Sequence, residues 1–137
     1  MINSFKNYLN TWKVKKKTAD PEEAKALLEQ SQERLDYVKG KKITEKTAKF
    51  VLEDSYEAIR ESAQSLMSSK GFKPYSHEAT IAFIKEFYNF NEEEIETFDY
   101  LRKLRADSVY RAVKITKEDA EECLKFAQHF VKKVKML

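Results

Sequence analysis

Only four residues in this 137-residue chain break a helix at low cost, two glycines and two prolines, and all four stand where boundaries are expected. The long stretches between them are too poor in turn residues for a strand-and-turn fold, so the composition favours long helices. Asp20-Pro21 reads as an N-cap followed by proline at the first helical position, and Gly40 as the matching C-terminal cap. The helix between them carries the stripe Ala24, Leu27, Leu28, Ser31, Leu35 and Val38, with Glu22 and Glu23 in its first turn and Lys39 in its last, as the dipole favours. A second helix is predicted from about Glu45 to Lys70, capped by Thr44 and Gly71. Its stripe (Ala48, Val51, Leu52, Ser55, Ile59, Ser62, Ala63, Leu66) is rich in small residues and lets a neighbour approach closely.

Gly71 to Tyr75 reads as a loop, after which Ser76 caps a short helix with Ile81, Ile84 and Tyr88 on one side and Phe83 and Phe87 on an adjoining face. Asn89 to Asn91 ends it. A further helix starts near Glu92 and stops between Arg105 and Arg111. The last begins at Thr116, whose spacing to Asp119 imitates a capping box, and runs almost to Leu137 over the stripe Ala120, Cys123, Leu124, Ala127, Val131 and Val134. Residues 1–19 are expected to form an N-terminal amphipathic helix with Ile2, Phe5, Leu9 and Trp12 on one face. The expectation is an all-α fold, with one bundle over residues 20–137 and a basic helix before it; the length suits one domain with one core.

Charge is unevenly spread. Residues 1–19 hold five lysines (Lys6, Lys13, Lys15, Lys16, Lys17) and no acid, leaving 21 basic against 23 acidic residues in the remainder. The run Lys13-Val-Lys-Lys-Lys17 suits either a phosphate backbone or a solvated helix end. One cysteine, Cys123, cannot form an internal disulfide, and on its stripe it reads as a small packed hydrophobe. No run approaches the roughly 18 apolar residues of a membrane span, and no signal peptide is recognised, so a cytoplasmic protein without a membrane partner is expected.

The segment Leu101 to Tyr110 places charge where a packed helix would be apolar. At about 100° per residue, Ile95, Phe98, Arg102, Arg105 and Val109 fall on one stripe. A guanidinium there needs a partner, a ligand, or a route for its stem to reach water. Arg102 and Arg105 can fork onto phosphate oxygens, and Tyr110 can add a hydrogen bond or a stacking face. His77, beside the capping Ser76, reads as a structural residue bonded to nearby backbone or to a facing helix. His129 points away from its core stripe. Neither suggests a metal site, no Gly-rich phosphate loop exists, and no cofactor is expected.

The order and spacing of four segments resemble the HEPN superfamily, found in prokaryotes beside or fused to minimal nucleotidyltransferases. They are Tyr56-Glu-Ala-Ile-Arg-Glu-Ser-Ala-Gln-Ser-Leu-Met-Ser-Ser-Lys-Gly71, Phe72-Lys-Pro-Tyr-Ser-His77, Arg102-Lys-Leu-Arg-Ala-Asp-Ser-Val-Tyr110 and Thr116-Lys-Glu-Asp-Ala-Glu-Glu. The resemblance runs from about Pro21 to the C-terminus and implies an up-and-down bundle of about four core helices plus a short one, commonly a homodimer. Active members are metal-independent RNases whose motif is an arginine, four to six residues and a histidine, in a cleft between protomers. Here Arg105 is followed after four positions by Tyr110, and no histidine lies between Arg102 and Arg111. A phenol with an ordinary pKa near 10 is a poor general base at neutral pH.

The resemblance therefore implies the HEPN component of a nucleotidyltransferase-linked, toxin–antitoxin-like pair. RNA or nucleotide would bind through Arg102, Arg105, Tyr110 and the lysines Lys15, Lys16 and Lys17. Arg105 and Tyr110 are the candidates for any catalysis. Two alternatives stand beside it: an active RNase pairing Arg105 with a histidine remote in sequence, and a non-catalytic protein-interaction module.

Overall fold

The computed structural model describes residues 2–137. Its elements are α1 (Phe5–Asn10), β1 (Val14–Lys16), α2 (Pro21–Lys39), α3 (Ala48–Lys70), β2 (Phe72–Pro74), α4 (His77–Phe87), α5 (Glu92–Arg111) and α6 (Lys117–Lys135). The all-α expectation holds, with a two-stranded ribbon as its one addition among the described residues. No described helix is long and apolar enough to cross a membrane.

α3 is the centre of the bundle, because its stripe of small residues lets other helices pack on nearly all of its sides. α2 runs antiparallel to it: the backbone N–H of Asp20, at the start of α2, donates to the carbonyl of Ser68 near the end of α3. α6 packs on another side, where the Cys123 thiol sits fully buried 3.7 Å from the Leu52 carbonyl. That burial pushes the thiol pKa up, as befits a packed hydrophobe rather than a nucleophile. Phe98 of α5 meets Tyr56 and Phe130 edge to face, joining α5, α3 and α6 in one aromatic contact.

Helix ends follow local chemistry. Asp20 accepts from the Glu23 N–H with Pro21 at the first position, Ser76 accepts from Ala79, and both Asn91–Glu94 and Thr116–Asp119 form full capping boxes. Gly71 ends α3 at φ 83°, in the left-handed region, and a Cβ there would lie 2.6 Å from the Lys17 carbonyl oxygen. One boundary differs from expectation. Thr44 and Thr47 bond each other reciprocally through backbone and hydroxyl, so residues 45–47 form a turn and α3 begins at Ala48.

The N-terminal segment differs more. It is not one helix: α1 ends at Asn10 with Thr11 as its C-cap, Trp12 adopts φ 64°, and the chain reverses into β1. β1 pairs antiparallel with β2 in the register Val14↔Pro74, Lys15↔Lys73, Lys16↔Phe72. Phe5 and Tyr8 are buried as α1 packs against the bundle, and Val14 is buried from the ribbon, whereas Trp12 is 72% exposed. The left-handed turn at Trp12 takes its indole off the apolar face that a continuous helix would have given it. The segment expected as a loop after Gly71 is thus the second strand.

Candidate functional site

Three elements bring the functional candidates together. Tyr56 projects from the middle of α3, His77 is the first residue of α4, and Arg102 and Arg105 lie one turn apart on α5. The Tyr56 hydroxyl is 2.6 Å from His77 Nδ1, and the two rings stack at 19° with centroids 5.6 Å apart. Tyr56 is fully buried and His77 is its one hydrogen-bond partner among the described residues; we assign the tautomer in which the phenol donates to Nδ1, since the reverse would leave the buried phenol proton without an acceptor. A neutral imidazole held this way carries its own proton on Nε2.

Burial pushes the Tyr56 phenol up, against a smaller opposing field from Arg105, Arg102 and Arg60. His77 is pulled the other way. Burial lowers its imidazole below the ordinary value, and the positive fields of Arg105, Arg60 and Arg102 lower it further, with Glu57 opposing. The imidazole is therefore neutral at neutral pH and faces a cluster of guanidinium groups.

Those guanidiniums are not equivalent. Arg102 satisfies itself within the chain through Asp99 at 2.8 Å, with Glu78 of α4 at 3.9 Å. Burial alone would raise the Asp99 carboxyl, but its hydrogen bonds to Arg102 and Lys103 and their charges hold it below its usual range. Arg60 bonds Glu57 and Gln64 on its own helix. Arg105, half-buried, stands over the Tyr56 ring at 5.9 Å and has no carboxylate within ion-pair distance among the described residues. It is the guanidinium whose fork is uncommitted. A cleft of ≈ 230 Å³ is lined by Arg60, Gln64, Pro74, Tyr75, Ser76, His77 and Thr80; Arg105 does not line it and is linked to it through the Tyr56 ring and through its charge acting on His77.

The other expected residues fall elsewhere. Tyr110 is 76% exposed. Five residues turn a helix by about 140° beyond a full revolution, so Tyr110 leaves the face that carries Arg105. Lys17 is tied to Glu23 at 3.4 Å and to the Ser68 hydroxyl at 3.2 Å. Lys15 and Lys16 are exposed on β1. His129 is exposed and bonds Glu94 at 2.7 Å, where Glu94 also receives Lys133. Among the described residues, no group of three or more His, Cys, Asp and Glu side chains could hold a metal ion.

Sequence reasoning missed Tyr56 and Arg60 and gave His77 only a structural role. The sole available signal was their place in the segments Tyr56 to Gly71 and Phe72 to His77, whose convergence depends on how α3 and α4 pack. The HEPN domain family model matches residues 24–137, and the chain belongs to that family. No curated protein and no solved structure matches it.

Proposed function

Taking the chain as a HEPN-domain protein, we propose that it binds the phosphate of RNA or of a nucleotide at the His77 cleft, within the field of Arg105, without cutting it. The observation that carries this reading is Arg105 itself: a half-buried guanidinium without a carboxylate partner, next to a neutral histidine whose Nε2–H remains free to donate. Two kinds of donor of that sort suit an anion, and Arg60, which lines the cleft, adds positive field at His77. A histidine whose Nδ1 is occupied by the Tyr56 proton offers Nε2 as a donor rather than as a base, which favours binding over cleavage.

The homodimer and the nucleotidyltransferase partner belong to the same reading. Val109, Tyr110 and Val113 expose apolar surface at the end of α5 and just beyond it, which supports a second copy docking there. Such a pair would act as the HEPN half of a toxin–antitoxin-like system.

Titration of labelled RNA and of ATP tests the binding claim. Arg105→Ala should weaken both by about 1–3 kcal/mol, the scale of a charge-assisted hydrogen bond. Arg105→Lys should recover part of the loss, since it keeps charge but cannot fork onto two oxygens.

A second reading is favoured by one observation. The alternative of an RNase using Arg105 with a remote histidine now has a specific candidate in His77, which shares the cluster. RNA incubated with the protein and a chelator separates the two: binding predicts intact RNA, whereas cleavage lost in both His77→Ala and Arg105→Ala establishes the enzyme.

A further inference from the structure

The ribbon at the edge of this cleft carries a second feature that the phosphate site does not use. Lys15 and Lys73 are directly opposite each other across the β1–β2 pair, an arrangement that is destabilising for like charges. Lys15 Nζ lies 5.5 Å from the ring centroids of both Trp12 and Tyr75, and Lys73 Nζ lies 5.5 Å from that of Tyr75. Both aromatic rings are open to solvent, Trp12 at 72% and Tyr75 at 53%. Trp12 holds a left-handed backbone that a bulky residue rarely adopts, and it does so without burying its indole. Core packing therefore gives no account of the aromatic pair. β1 also lies within the first 19 residues of the chain, which contain no acid.

We infer that the Trp12–Lys15–Lys73–Tyr75 ribbon is a stacking platform for single-stranded RNA, which runs onto it from the His77 cleft. The inference rests on the cleft reading above and narrows its ligand from any phosphate to an extended strand. Alternating flat rings and lysines match a strand's chemistry, because bases stack on the rings while their phosphates neutralise the opposed ammonium groups. Continuity comes from Tyr75, which directly follows β2, donates its N–H to the Lys13 carbonyl just before β1, and also lines the cleft with Arg60 and His77. Lys17 takes no part, being held by Glu23 and Ser68.

Trp12 is the only tryptophan of the chain, so its emission reports on this surface alone. Oligouridylate of about ten nucleotides, long enough to reach from cleft to ribbon at the site sizes of single-strand binders, should quench it, and ATP should not. By anisotropy of the labelled oligonucleotide, Trp12→Ala and Tyr75→Ala should each weaken binding about ten-fold, the effect of losing one stacked base. Trp12→Ala should leave ATP affinity unchanged. Oligonucleotide affinity within about two-fold of wild type in both variants, beside a clear loss in Arg105→Ala, would overturn the ribbon and spare the cleft. Equal ATP affinity in wild type and Arg105→Ala would instead overturn the cleft reading. A Trp12 emission shift with anionic phosphatidylserine vesicles but not with oligouridylate would assign the ribbon to a lipid surface and also overturn the inference.

Discussion

Tyr56 and His77 come from different helices yet meet at 2.6 Å with their rings stacked, the phenol fully buried and the imidazole at the rim of a cleft. This pair fixes the orientation of His77, which burial and the nearby arginines keep neutral. Its removal should be visible. Tyr56→Phe leaves Nδ1 without its donor and should cost about 1–2 kcal/mol in urea unfolding, with most of the helical signal retained. A variant as stable as wild type would show that the hydrogen bond holds nothing.

His77 should titrate below its ordinary value of 6.5, because burial and then Arg105 and Arg60 disfavour the imidazolium. Between the lowered folded midpoint and 6.5 the unfolded chain binds more protons, so stability rises with pH across that window. The contribution is fully present above about 6.5 and is lost as pH falls through the folded midpoint. Histidine ring proton shifts measure this directly. Arg105→Ala should move the His77 midpoint upward; a midpoint above 6.5 in the wild-type protein would contradict the arginine cluster.

The α2–α3 contact depends on a buried charge. Glu61 is 1% exposed and accepts from Arg34 at 2.8 Å and from Gln30, and that hydrogen bond, with the Glu61 charge, raises the Arg34 pKa. Arg34→Met should strand the carboxylate and destabilise by about 3 kcal/mol, and adding Glu61→Met should recover much of that loss. Chemical denaturation of the single and double variants checks both signs. Equal stability of wild type and Arg34→Met would show that Glu61 needs no partner.

Gly71 should tolerate no side chain. Its φ of 83° and the 2.6 Å approach of a Cβ to the Lys17 carbonyl together predict that Gly71→Ala lowers stability by more than about 1 kcal/mol. Because the Lys17 N–H also donates to the Gly71 carbonyl, the β1–β2 pairing should loosen with it. Hydrogen exchange of the β1 amides reads the second effect, and unchanged protection would disprove the link.

The helices were legible because their ends are local: Asp20-Pro21, Ser76 and Thr116 cap in the structure as their residue types predict, while Asn91, read only as the end of the preceding helix, also caps α5. The ribbon was not, since a three-residue strand has too few positions for a period and Val14-Lys15-Lys16 gains its partner only from Phe72–Pro74, far along the chain. Arg102 and Arg105 were legible as anomalies on an apolar stripe. The partner of Arg102 turned out to be Asp99, three residues earlier, while Tyr56 and His77 could be joined to Arg105 only by packing three helices together. Tyr110 is the opposite case: sequence spacing to Arg105 suggests proximity within one chain, and helical rotation places the two on different faces.

Self-association is open to a simple measurement. With Val109, Tyr110 and Val113 exposed at the end of α5 and in the chain after it, the mass in solution should be near twice 16.2 kDa, and Val109→Asp with Tyr110→Asp should reduce it to that of one chain. A monomer at tens of micromolar (roughly where weak homodimers form) would remove the proposed contact.

The most direct test of the cleft is the response of the His77 ring to ATP in the wild-type protein and in Arg105→Ala. An anion held beside His77 must favour the imidazolium, so its midpoint should rise on saturation with ATP and its ring resonances should move. In Arg105→Ala both responses should be reduced in step with affinity. ATP binding that leaves the His77 resonances and midpoint unmoved, or that is indifferent to Arg105, would contradict a phosphate site at this cluster.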